Sequence, residues 1–134
     1  MKGLTGSAYD LFQEGRELLE ERKPSAAVAL LERAKELEPH RGSILEALGI
    51  AYYNSGRHEL AMREFEEALE VDPTNHYARY GFSRCLYRKG LLHRAIGQVK
   101  LAAVMEPDME LYAKALRRYQ RDLARSSERR SLEG

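Results

Sequence analysis

An all-α solenoid of three helix–turn–helix repeats with a capping helix is the fold class this sequence predicts. Three observations carry that expectation. Pro39, Pro73 and Pro107 fall at a constant interval of 34 residues, each directly after an acidic residue: Glu38, Asp72 and Glu106. Set in register, the prolines bring small and large apolar residues into the same columns over 8–41, 42–75 and 76–109. Gly56 and Gly90 then divide the second and third segments in two. A unit this short cannot bury its own apolar face, so it must stack on neighbours.

The elements follow in order. A first helix over 7–22 carries Leu11, Gly15 and Leu18, and a second over 25–38 carries Ala27, Leu31 and Ala34. Pro24 suits the start of the second, since its missing N–H would have no intrahelical partner there. Helices over 42–55 and 58–71 repeat the pattern with Leu45, Leu48, Gly49 and Tyr52, then Ala61, Phe65 and Ala68. Helices over 76–89 and 92–105 do so with Phe82, Ser83 and Leu86, then Ala95, Val99 and Ala102. The small pairs Gly15 with Ala27, Gly49 with Ala61 and Ser83 with Ala95 would let paired helices approach closely, while Leu31, Phe65 and Val99 would fill the space between repeats. Each proline stops a second helix. Gly56 and Gly90 suit a C-cap with positive φ, where the first repeat has Arg22.

A seventh helix is expected over 108–125. Leu111, Tyr112, Ala115, Leu116, Tyr119 and Leu123 form its apolar stripe, and Lys114, Arg117, Arg118, Arg121 and Arg125 cover the rest. The polar stretch 126–134 is expected to be a disordered tail.

In these columns the chain resembles the tetratricopeptide repeat family. The middle segment carries the pattern most fully: Leu45, Leu48, Gly49, Tyr52, Ala61, Phe65, Ala68 and Pro73. Glu14 and Arg79 depart from it, standing where an apolar residue is usual. The resemblance implies a right-handed superhelix whose first helices line a concave, protein-binding face. Carried over position by position, that face holds Tyr9, Phe12, Arg16, Leu19 and Glu20 in the first repeat. Ser43, Glu46, Ile50, Tyr53 and Asn54 follow in the second, and Tyr77, Tyr80, Arg84, Tyr87 and Arg88 in the third. Helical spacing independently puts Tyr77, Tyr80, Arg84 and Tyr87–Arg88 on one stripe. Tyrosine and arginine are what binding hot spots favour. Tyr80, Arg84 and Tyr87 would present two aromatic faces with a guanidinium between them, suited to an acidic residue flanked by apolar ones.

The resemblance also carries a mismatch. Family members that hold heat-shock chaperone tails use a clamp of Lys, Asn, Asn, Lys and Arg. The matching positions here are Phe12, Arg16, Ala47, Tyr77 and Gly81, which argues against that specificity.

Composition bounds the remaining classes. The chain has 134 residues, 43% hydrophobic and 32% charged, without tryptophan. The opening MKGLTGSAYD has no apolar segment, and no run approaches the roughly 18 apolar residues of a membrane span, so the expectation is a cytoplasmic protein without membrane contact. The net charge of +1 conceals an asymmetry. Residues 1–75 hold 9 Lys and Arg against 15 Asp and Glu, whereas 76–134 hold 13 against 6. Opposite ends leave head-to-tail homo-oligomers open, and the basic half offers an alternative as an RNA-binding module. The acidic half argues against nucleic acid.

No HExxH, CxxC or glycine-rich phosphate loop is present. His40, His58, His76 and His93 fall at turns on opposite edges of a solenoid, so no metal site is expected. Cys85 aligns with the small packing residue Ala51 and reads as a buried thiol. The sequence therefore predicts a non-enzymatic adaptor, with no cofactor, that binds a protein or peptide in its groove.

Overall fold

A computed structural model describes residues 6–133. Among them there are seven helices: α1 Ala8–Glu20, α2 Pro24–Leu37, α3 Gly42–Asn54, α4 His58–Val71, α5 His76–Arg88, α6 Leu92–Met105 and α7 Glu110–Glu133. Each packs on the next, and α1, α3 and α5 also touch in series, so the first helices of the repeats form one layer. This is the all-α repeat solenoid expected.

The three prolines act identically. α2, α4 and α6 each end two residues before one, and the intervening Glu38, Asp72 and Glu106 adopt similar non-helical angles near φ −136, −144 and −133°. The proline ring disfavours helical backbone in the residue before it, so the same stop recurs three times. Inside the repeats, Gly56 and Gly90 have φ of +87 and +79°. Gly56 N–H donates to the Tyr53 carbonyl, and Arg57 N–H to that of Tyr52 at 2.7 Å, which satisfies the last carbonyls of α3. Arg22 makes the same turn at φ +60° without glycine's freedom, at a cost of about 1 kcal/mol.

The buried layer is aliphatic at one end and aromatic at the other. Leu11, Leu31, Ile44, Leu45 and Leu48 are fully buried in the first half; Phe65, Leu86, Val99 and Tyr112 continue the core. The close approaches differ from those expected. A Cβ on Gly15 would meet Leu31 at 2.7 Å, and one on Gly49 would meet Phe65 at 2.7 Å. The glycines thus make room for the large inter-repeat side chains rather than for Ala27 and Ala61. Gly81 does the same: its Cβ would lie 2.5 Å from the Phe65 ring. Phe65 therefore sits between two glycine-faced helices, α3 and α5.

Four polar residues enter this layer, among them Ser83, whose hydroxyl donates to the Tyr80 carbonyl. Glu64 is buried and receives Lys35 Nζ at 2.8 Å; burial raises its carboxyl above the ordinary range. Arg79 donates to Gln98 and to the Pro73 carbonyl. Glu14 is half-buried, with one carboxylate oxygen unpartnered among the described residues. Cys85 is buried, and burial pushes its thiol up to about 12.

α7 departs from expectation at both ends. It begins at Glu110 and continues to Glu133, through most of the stretch read as a tail. Residues 124–133 hold arginine, serine, glutamate, alanine and leucine with no glycine or proline, so nothing stops the helix. Their side chains are almost all exposed, so propensity rather than packing carries the extension. Gly134 lies outside the described residues. The packed part is the first half, where Tyr112 and Tyr119 are buried against α5 and α6. Leu111, expected in that buried stripe, is instead 41% exposed.

Burial holds the phenols of Tyr112 and Tyr119 neutral, pushing each up to about 12. An unfolded tyrosine ionises near 10. The folded values lie above the unfolded one, so this contribution is complete below about pH 10 and is lost as pH rises toward 12. The urea midpoint should accordingly hold level between about pH 7 and 9 and fall above about 10. Tyr112→Phe should shallow that fall; a variant with an unchanged alkaline slope would contradict the assignment.

Candidate functional site

The concave layer of α1, α3 and α5 forms a channel with two broad ends and a narrow waist. At the first end, Phe12, Arg16, Leu19 and Glu20 of α1, Ser43, Glu46, Ala47 and Ile50 of α3, and Tyr77 of α5 surround a cavity of about 420 Å³. At the second, Tyr53 of α3 and Tyr80, Arg84, Tyr87 and Arg88 of α5 surround one of about 350 Å³. Leu111, Lys114, Ala115, Arg118 and Tyr119 of α7 complete it. Ile50, Tyr53, Asn54, Tyr77, Tyr80 and Arg84 line the waist, of about 50 Å³, over a floor of Phe65 and Gly81. Ile50 and Tyr77 belong to both waist and first cavity, and Tyr53, Tyr80 and Arg84 to both waist and second, so the lining is continuous.

The two ends differ in chemistry. Among the described residues, the only cation lining the first cavity is Arg16, whose guanidinium lies 5.6 Å from the Phe12 ring centroid. Glu20 and Glu46 stand beside it, and Glu46 accepts a hydrogen bond from Asn75 at 2.9 Å. The second cavity is lined by four cations and four tyrosines, with no carboxylate among the described residues.

Fourteen of the fifteen sequence-predicted groove residues line this channel. Tyr9 does not: it lies at the outer start of α1, 66% exposed, where Gln13 donates to its hydroxyl. Two expectations need correction. Tyr80 was placed as an exposed contact, but it is only 8% exposed. Its ring packs 5.7 Å from Tyr77 and 5.3 Å from Tyr112. α7 covers it, and burial raises its phenol. Nor does Arg84 sit between Tyr80 and Tyr87. It lies 4.1 Å above the Tyr53 ring of the neighbouring repeat and 5.6 Å from Tyr80. Tyr87 turns to α7 instead, stacking on Tyr119 at 4.4 Å and donating its hydroxyl hydrogen bond to Asp122. Tyr80→Ala should therefore act on folding, lowering stability by about 2–4 kcal/mol in urea titration; an unchanged midpoint would return Tyr80 to the exposed class.

The basic side chains of α7 were missed as site residues. Read along the sequence, they cover the solvent face of a cap. The signal was the i, i+4 pair Lys114 and Arg118, on the same helical edge as Leu111.

Residues 43–75 match the tetratricopeptide repeat family model. Together with three such helix pairs in series, this decides the assignment. The chain belongs to the tetratricopeptide repeat family.

A curated relative is a tetratricopeptide repeat and J domain-containing co-chaperone of Cryptococcus neoformans. It is 30% identical over 104 residues, which span 78% of this chain and 20% of the relative. The chain thus spans about one fifth of the length of the curated relative it matches. Among solved tetratricopeptide structures, the Sgt2 domain from Aspergillus fumigatus superposes with a TM-score of 0.84 at 21% identity, covering 90% of this chain and 82% of that one. The first such domain of Spaghetti, solved with the HSP90 peptide SRMEEVD, also gives 0.84, at 16% identity over 88% and 94% of the two chains. These likenesses concern the fold. Within this tetratricopeptide groove, the positions of the chaperone-tail clamp hold Phe12, Arg16, Ala47, Tyr77 and Gly81, and the first four line the more apolar cavity. No described helix is long and apolar enough to cross a membrane. Among the described residues, no group of three His, Cys, Asp or Glu could hold a metal ion.

Proposed function

We propose that this domain is a protein-interaction adaptor that holds an extended segment of a partner protein in its concave channel. The observation that carries the reading is the continuous lining from Phe12 to Arg88, with half-buried Phe12, Ile50, Tyr53 and Tyr77 open to the channel. Aromatic surface held in a rigid frame offers contact area with little side-chain entropy left to lose. The domain of Spaghetti that superposes on this one was solved with a bound peptide, which supports the same use of the groove here. None of the clamp positions for chaperone tails keeps its clamp residue, and four of the five hold Phe12, Ala47, Tyr77 and Gly81, so the segment held here has a different sequence.

Panning a random-peptide display library on the full chain tests the reading. Enriched peptides should lose about 1–2 kcal/mol of binding with Ile50→Ala or Tyr77→Ala, as hot-spot truncations do. Enriched peptides that bind both variants as well as the parent would place the binding surface elsewhere.

A further inference from the structure

Arg84 and Arg88 stand one turn apart on α5, and Lys114 and Arg118 one turn apart on α7; all four open onto the second cavity. Elsewhere in the chain Lys23, Arg33, Lys35, Arg41, Lys89 and Arg117 pair with carboxylates and others such as Arg63 and Arg94 stand exposed; what sets these four apart is that they share one cavity. The four cations of the cavity have no such pairing among the described residues. Asp122 lies outside the cavity's lining, where it accepts from the Tyr87 hydroxyl and offsets part of the Arg118 charge only.

Gathering like charges opposes folding, so stability alone does not account for the arrangement. The positive field extends past the cavity rim. His58, edge-on to Tyr53 at 4.8 Å, is held below its ordinary range by burial and then by Arg88 and Arg84.

The cations are also oriented before any ligand arrives. Arg84 lies on Tyr53, which fixes the plane of its guanidinium fork. Arg118 lies 5.4 Å from the Tyr87 centroid, and Tyr87 is itself stacked on Tyr119 with 17° between the rings. That stack sets the α7 pair against the α5 pair.

We propose that this cavity is a carboxylate-accepting subsite, built jointly by the last repeat and α7, that takes an acidic stretch of the partner segment. The proposal rests on the groove reading above and deepens it. An acidic peptide suits the channel better than RNA does. The adjoining cavity is lined by Phe12, Leu19 and Ile50 beside Glu20 and Glu46, which suits apolar side chains and repels a phosphate backbone. Fixed guanidinium forks match carboxylates bidentately.

The probes are two fluorescein-labelled dodecapeptides, one alternating Glu with Tyr and Leu, the other with Gln in place of every Glu. Anisotropy on the full chain should show the Glu form bound about tenfold tighter at about 50 mM salt, with the gap narrowing by about 300 mM as exposed charge is screened. Lys114→Gln with Arg118→Gln, both exposed in the free chain, should remove most of that gap without moving the melting temperature. Arg84→Gln should narrow the gap as well.

Equal affinity of the two peptides overturns the proposal, as does a gap that survives both sets of substitutions. An oligouridylate that binds tighter than the Glu peptide overturns it in favour of nucleic acid. If the Glu–Gln gap is absent while Ile50→Ala still weakens both peptides, the anion subsite falls and the groove stands.

Discussion

Phe65→Ala should destabilise the domain by about 3–5 kcal/mol, read from the urea midpoint at constant slope. Phe65 is 2% exposed and fills the junction where α3, α4 and α5 meet. The truncation removes a large buried ring, and the surrounding backbones can collapse only partly into the void. Its partners give a sharper test. In the intact domain Gly81→Ala drives a methyl against the Phe65 ring, with contacts of 2.5 to 2.8 Å to three ring carbons. Overpacking of this kind costs about 1–3 kcal/mol, which exceeds the gain of up to about 1 kcal/mol from replacing a helical glycine by alanine. With Phe65→Ala already in place the obstruction is gone, so Gly81→Ala should turn neutral or stabilising. A Gly81→Ala penalty that persists in the Phe65→Ala background would show that the close approach is not what requires glycine.

Deleting residues 110–134 should have an effect of similar or larger size. The deletion strips Tyr112 and Tyr119 from the core at 0% and 3% exposure and uncovers the apolar faces of α5 and α6. Each buried tyrosine is comparable to an aromatic truncation of about 3–5 kcal/mol, and a domain of this size holds about 5–15 in total. The truncated chain should aggregate or melt far below the parent, because a terminal repeat without its cap exposes core-like surface. Tyr112→Phe isolates one polar part of that contact. The Tyr112 hydroxyl lies 2.6 Å from His76 Nδ1, and losing it should cost only about 1 kcal/mol. A truncated chain that remains monomeric with the parent's melting temperature would mean that α7 is not the closing element of the solenoid.

The same helix is both a cap and a wall of the candidate site, which has a consequence for design. Substitutions on α7 fall into two classes by edge. Those at Tyr112 and Tyr119 should act through stability, whereas those at Lys114 and Arg118 should act through recognition with the fold intact.

The sequence determined the architecture because the architecture is repeated. One proline placed after an acidic residue stops one helix; three at a fixed interval stop three helices with nearly the same backbone angles. Backbone rules of this kind are local, so the residues beside Pro39, Pro73 and Pro107, and Gly56 and Gly90 at their turns, were sufficient. The concave set was legible because the family resemblance carried it over position by position, helical periodicity put its α5 members on one stripe, and fourteen of the fifteen residues named do line the channel.

What that periodicity leaves undetermined is what lies across from a face. Tyr80 and Arg84 share one stripe of α5, yet Tyr80 is buried because Tyr112 arrives from 32 positions along the chain. Arg84 lies on Tyr53, 31 positions earlier, and Tyr87 on Tyr119, 32 positions later. Burial and stacking are properties of pairs brought together by the superhelix, so no single repeat carries the signal. Gly81 shows the same limit. Its need for a bare backbone comes from a phenylalanine on the preceding helix, and only the packed structure placed that ring against both Gly49 and Gly81. The α7 cations came to the groove in the same way: their charge was plain in the sequence, but the cavity they enclose exists only once the cap is docked on the last repeat.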